Sequence, residues 1–297
     1  MTTADASQPG LTRRATRHVV RRAVAAGTAY AVGRLVTHAG PAPSGTDADP
    51  WWRTNHSGDL VTLWEGPAAV AALAAGLLVT PGLSARTRTT ATLTVVVTGA
   101  IGRYDDVAGG AHAKGLRGHL GALAHGEVTT GAVKVLGLSA VGLVAGATVR
   151  RGGSWWERVA AGALVAGSAN LVNLLDLRAG RALKVVGLAA AKGQLAPGES
   201  GFVLAPVLGA VAAVAPEDLA ARSMLGDCGA NALGASVGLA GAAGLDPASL
   251  VLALGGVIGL TLASERVSFS DVIARTPWLR RLDELGRSMP SGTADGS

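Results

Sequence analysis

Three stretches of the chain, 203–214, 229–245 and 250–263, contain no charged residue at all. A helix in water must show a charged face that recurs every 3.6 residues, so segments that are apolar or small all round need lipid or other helices on every side. Composition agrees: charged residues make up 15% of the 297 and the mean hydropathy is positive. The 43 glycines would weaken helices in water, yet in a membrane small residues let helices approach closely. The expected fold class is therefore all-α, a polytopic membrane protein.

Apolar segments fall at 19–40, 67–80, 89–102, 135–149, 159–170, 182–195, 201–215, 229–244 and 249–263, which gives about nine transmembrane helices. The first contains Arg21, Arg22 and Arg34 and reads as an amphipathic or snorkelling helix. The sixth is short and includes Lys184 and Lys192. Residues 1–18 form a basic tail and 291–297 a Gly/Ser/Asp tail, both expected to be disordered. Between them lie a transmembrane catalytic domain, 19–264, and a cytoplasmic amphipathic segment, 265–290. In the latter, Thr276 and Pro277 can start a helix that Gly286 ends, with Trp278, Leu282 and Leu285 on one face.

With nine crossings, Arg53, Arg103, Lys134, Arg178, Arg222 and the arginines from Arg266 to Arg287 share one side, against Arg86, Arg88, Arg150, Arg151 and Arg158 on the other. The richer side is expected to be cytoplasmic, which leaves the basic N-terminus outside. Trp51, Trp52, Trp64, Trp155, Trp156 and Trp278 lie beyond the apolar cores and read as interface belts. The net charge of +6 is scattered, with no aromatic platform, so anionic lipid headgroups are the expected partner and nucleic acid is not. Cys228 is the single cysteine, which excludes an intrachain disulfide and leaves the redox compartment open.

Polar residues gather at one set of helix ends: Asp105 and Asp106 after the third segment, Asn170, Asn173 and Asp176 at the end of the fifth, Asp227 before the eighth. Spacing by three lets Asn170, Asn173 and Asp176 fan over part of one helix face toward a common ligand. Adjacent Asp105 and Asp106 face differently, so one can meet a metal while the other orients a neighbour. Carboxylates brought together repel unless a cation sits among them, and an oxygen-only set suits Mg²⁺ or Mn²⁺. The glycine-rich loop that follows carries Lys114, Arg117 and His119, cations able to wrap an anionic group. Each piece also has a plain structural use. The Asp pair can be a solvated loop, Asp227 a helix cap, the asparagines interhelical hydrogen bonds, and Cys228 a small buried residue.

Taken in order, these residues resemble the polyprenyl-phosphate N-acetylhexosamine-1-phosphate transferases, the superfamily that includes phospho-N-acetylmuramoyl-pentapeptide transferase. The resemblance runs from about 52 to 287 and rests on three motifs. Asp105-Asp106, with Lys114-Gly115-Leu116 and Arg117-Gly118-His119, is similar to the family's Asp-Asp loop. Asn170-Leu171-Val172-Asn173-Leu174-Leu175-Asp176 is similar to its Asn-Ala-x-Asn-x-x-Asp motif, and Met224 to Leu233, ending Gly226-Asp227-Cys228-Gly229-Ala230-Asn231-Ala232-Leu233, to its Met-Gly-Asp-x-Gly-Ser segment.

The resemblance implies a plasma-membrane, Mg²⁺-dependent enzyme with its active site facing the cytoplasm, which moves a sugar-1-phosphate from a UDP-sugar to a polyprenyl phosphate and releases UMP for cell-envelope glycan synthesis. It implies Asp227 and Asp106 as metal ligands and Asp105, Asp106 and Asp176 as catalytic residues. Lys114, Arg117, His119, Asn170 and Asn173 would bind substrate. Two departures stand out: Ala179 occupies the place of a second Asp, and Ser264-Glu265-Arg266-Val267-Ser268-Phe269 replaces a histidine-rich motif that helps choose the sugar. A phosphate monoester is mostly dianionic near neutrality, so its oxygen can attack directly, and a covalent aspartyl-phosphate route stays open. Two other readings are an envelope-assembly scaffold of weak activity and a cation-coupled transporter; charges at helix ends rather than mid-helix argue against the latter. A homodimer is left open.

Overall fold

A computed structural model describes residues 8–41, 49–55, 58–109, 129–196 and 198–287, with side chains from residue 16 onward. The described residues are mostly helical. Nine helices match the nine apolar segments in order: α1 (Gln8–His38), α2 (Glu65–Val79), α3 (Ala85–Ala108), α4 (Thr130–Val149), α5 (Trp155–Leu175), α6 (Arg181–Gly193), α7 (Ser200–Leu219), α8 (Gly226–Gly244) and α9 (Pro247–Ser264). Two short helices follow, α10 (Phe269–Arg275) and α11 (Pro277–Glu284), and a two-stranded hairpin, β1 (Trp52–Thr54) with β2 (Leu60–Thr62), precedes α2. Of these, α4, α5, α7 and α9 are long and apolar enough to cross a membrane.

Helix starts are written locally. Ser84 accepts from Thr87 N at 3.2 Å, Thr129 from Ala132 N at 3.1 Å, and Asp246 from Ala248 N at 3.0 Å with Pro247 at the first turn of α9. Packing relies on missing side chains. A Cβ on Gly146 would strike the Gly162 backbone, and one on Gly209 would strike the Ala26 carbonyl, so α4 with α5 and α1 with α7 approach to backbone contact. Outward surfaces stay apolar: Leu93, Leu136, Val144, Leu252, Ile258 and Leu262 are all exposed. In water such a surface would drive aggregation, whereas acyl chains would cover it.

Three expectations change. Residues 8–18, expected to be disordered, form the first turns of α1; 1–7 and 291–297 lie outside the described residues. The α1 arginines do more than snorkel. Arg34 donates to Ala213 O at 3.1 Å, and Arg22 hydrogen-bonds to Gln194 O and Ala196 O and lies over the Phe202 ring, so both tie α1 to α7 and its approach. Trp51 and Trp64, expected in an interface belt, also make specific contacts within the protein. Trp64 Nε1 donates to Val36 O at 2.7 Å, Trp51 meets it edge-on, and the Arg103 guanidinium stacks 3.7 Å from the Trp51 ring, which fixes the hairpin between α1 and α3.

The expected C-terminal helix is present as α11, with Pro277 at its first turn and Gly286 at φ +74° after it. Its attachment is polar. Between α10 and α11 the one buried residue is Asp283, which receives Arg181 Nε at 2.8 Å and Arg181 Nη2 at 3.3 Å, with Lys184 Nζ on its carbonyl at 2.5 Å. Burial resists ionisation of Asp283, but hydrogen bonds and charge from Arg181 and Arg287 overcome it and hold the carboxyl below its ordinary range. A carboxylate with a depressed folded pKa contributes its stability above the unfolded value, about 4, and loses it as pH falls through the folded one. A nitroxide on Leu282→Cys, with Cys228 buried, should therefore be ordered at neutral pH and become mobile reversibly at acid pH. In Asp283→Asn it should be mobile throughout, and an acid-insensitive spectrum would show that the ion pair does not hold the strap.

Candidate active site

The site forms where the end of α3 meets the beginning of α8. Gly226 adopts φ +58°, a left-handed turn open to glycine, and a Cβ there would sit 3.0 Å from both Asp106 carboxylate oxygens. Gly102, one turn before Asp106, rests directly on the Asp227 carbonyl. This close approach lets Asp106 do what no residue on α8 does. Its Oδ1 accepts from Asp227 N at 2.9 Å and its Oδ2 from Cys228 N at 3.1 Å, capping α8 from a neighbouring helix. Arg53 of β1 donates to the Asp106 carbonyl at 3.1 Å. Asp106, 7% exposed, thus orients Asp227, while Cys228 is a small buried residue.

Asp105 turns the other way. Lys134, in the first turn of α4, sits 3.4 Å from Asp105 Oδ2 and forms an ion pair with Asp227 Oδ2. Two carboxylates from helices far apart in sequence therefore share one ammonium. In the sequence Lys134 reads as a loop charge before the apolar segment 135–149, whereas the helix takes it in as the lone charge among twenty residues, where a charge is rarely idle.

Beside this pair opens a cleft of about 720 Å³, walled by the hairpin (Arg53, Thr54, Asn55, Asp59), the end of α5 and the turn after it (Asn173, Asp176, Arg178, Ala179), the end of α7 through the start of α8 (Asp218, Ser223, Met224, Asp227) and Arg287. Asp176 ends α5 and is 8% exposed, with no hydrogen-bond partner for Oδ2 among the described residues. Burial above all, then the charges of Asp218, Asp227 and Asp106, raises its carboxyl well above the ordinary range. Asp218, which the sequence reading passed over, accepts from Gly180 N at 3.0 Å and leaves Oδ1 without a partner among the described residues.

Of the expected site residues, then, Asp105, Asp106 and Asp227 converge, and Asp176 and Asn173 line the adjoining cleft. Asn170, one turn deeper in α5, is not among the lining residues. Lys114, Arg117 and His119 lie outside the described residues. Among the described residues no three His, Cys, Asp or Glu side chains are gathered tightly enough to hold a metal unaided. Mg²⁺, however, is commonly held by one or two carboxylates with substrate phosphates and water completing its shell. Asp227 and Asp176 on one cleft, the latter with an orphaned oxygen, fit that use. No protein-family model matches the chain, and no curated protein matches it.

Proposed function

We propose that this chain is a polyprenyl-phosphate sugar-1-phosphate transferase, taking an N-acetylhexosamine-type sugar-1-phosphate from a UDP-sugar and releasing UMP. All nine of α1 to α9 would cross the membrane, and the cleft would face the cytoplasm, as the sidedness of Lys and Arg in the sequence supports. The observation that carries the reading is the convergence of Asp105, Asp227 and the cleft-lining Asp176 at one end of an apolar helix bundle. Such an arrangement faces water on one side and lipid on the other, as a reaction between a nucleotide and a lipid phosphate demands.

In this reading Asp227 and Asp176 would hold Mg²⁺, which would supply charge neutralisation of the diphosphate. Asp106 holds Asp227 in place through the α8 backbone. Lys134 and Asp105 stand beside Asp227 where the lipid phosphate arrives, the ammonium offsetting its charge. Arg53 and Arg178 on the cleft wall attract the polyanionic donor. The nucleophile is a phosphate already ionised near neutrality, so positioning and charge carry the rate rather than proton abstraction.

A weakly active scaffold is the second reading, favoured by the Lys134 ammonium lying between Asp105 and Asp227 and by Ala179 on the cleft wall. Purified protein with Mg²⁺, polyprenyl phosphate and a panel of UDP-sugars should release UMP with one sugar well above the rest. No UMP from any sugar, with nucleotide still bound, would decide for the scaffold.

A further inference from the structure

We infer that Arg287, carried to the cleft by the C-terminal strap, is a binding residue for the phosphates of the donor nucleotide; this rests on the transferase reading of the same cleft. Arg287 follows α11 and lines the cleft with Ala179, Asp218 and Asp227. Its Nε and Nη2 donate to Ala179 O at 3.3 and 3.0 Å, and Nη2 also reaches Asp283 Oδ2 at 3.2 Å. Nη1 makes no hydrogen bond among the described residues, so one edge of the guanidinium is held while the other keeps its donors.

The clamp around it is unusual for a surface segment. Asp283 is the only buried side chain of α10 and α11, and its carboxylate serves Arg181 and Arg287 together. Arg181 Nη1 also donates to Ser270 Oγ at 3.1 Å. Trp278, Leu282 and Leu285 remain exposed and Phe269, Ile273 and Leu279 are only half-buried, so the one fully buried contact of the strap is the clamp at Asp283. What the clamp achieves is a fixed guanidinium over a cleft otherwise floored by Asp176, Asp218 and Asp227. A planar, fixed fork matches phosphate oxygens, and pre-ordering removes part of the entropy loss of binding.

Full-length protein in nanodiscs with Mg²⁺ can be titrated calorimetrically with UDP and with uridine. Arg287→Ala should raise the Kd for UDP about tenfold to a hundredfold, the loss of charge-assisted hydrogen bonds, and leave uridine unchanged. Arg287→Lys should fall between, and Asp283→Asn, which keeps the arginine but unclamps it, should also weaken UDP alone. Arg280→Ala, exposed on α11, should match wild type. Equal UDP binding in Arg287→Ala, equal losses for UDP and uridine, or an equal loss in Arg280→Ala would overturn the inference while leaving the transferase reading in place. A wild-type protein that binds neither ligand would sink both.

Discussion

Asp106→Ala should be the most destabilising single change at the site, by about 3 kcal/mol, even though Asp106 adjoins rather than lines the cleft. Alanine strands the backbone N–H groups of Asp227 and Cys228 at a helix start whose own residues offer no cap: Leu225 stands at the N-cap and makes no side-chain hydrogen bond. Each buried donor left unpaired costs about 1–3 kcal/mol, more when its lost partner was charged. The negative charge lost from the α8 N-terminus adds to that. Asp105→Ala removes a partly buried carboxylate that caps no backbone and whose partner Lys134 keeps Asp227, so its effect should stay well below that of Asp106→Ala. Thermal unfolding of the two variants in one detergent decides. Equal midpoints would mean that Asp106 is not the cap it looks to be, and Asp106→Asn, which keeps one acceptor, should fall between alanine and wild type.

This division of labour between adjacent acids was only half legible in the sequence. That Asp105 and Asp106 face apart follows from helix geometry, but which one turns inward depends on Gly102 and Gly226, two of many glycines whose meaning lies in what they touch. Helix positions were readable because most of the segments carry a long apolar signature that needs no partner to interpret. The hairpin was not: β1 and β2 are three residues each, and Val36, Arg103 and the 222–224 segment, which hold them and the flanking Trp51 and Trp64, are all distant in sequence. Asp218 and Arg287 escaped for the same reason. Each sits among ordinary-looking neighbours, at the end of α7 and after α11, and only the fold brings both to Ala179. Lys134 reads as a loop charge before the apolar segment 135–149, and only the folded helix takes it in.

The other large effect concerns Asp227 and the ammonium beside it. Asp227→Ala should lower UMP release by about a thousandfold, the scale on which removal of one preorganised charge acts at a reacting phosphorus, with little loss of fold because Asp106 caps the helix through backbone groups that alanine retains. Lys134→Met should act differently. Without the ammonium, Asp105 and Asp227 face each other uncompensated, so the metal-free protein should unfold at a lower temperature than wild type. Added Mg²⁺ should then restore more of the midpoint than it adds to wild type, since a ligand bound only by the folded state stabilises according to its concentration over Kd. The comparison separates the two readings of the site. If Mg²⁺ raises the midpoint of Lys134→Met and wild type but not of Asp227→Ala, Asp227 is a metal ligand and Lys134 occupies the same electrostatic niche. If Mg²⁺ moves none of them, the ammonium is the resident cation, the acids serve the fold, and the chain is better understood as a scaffold.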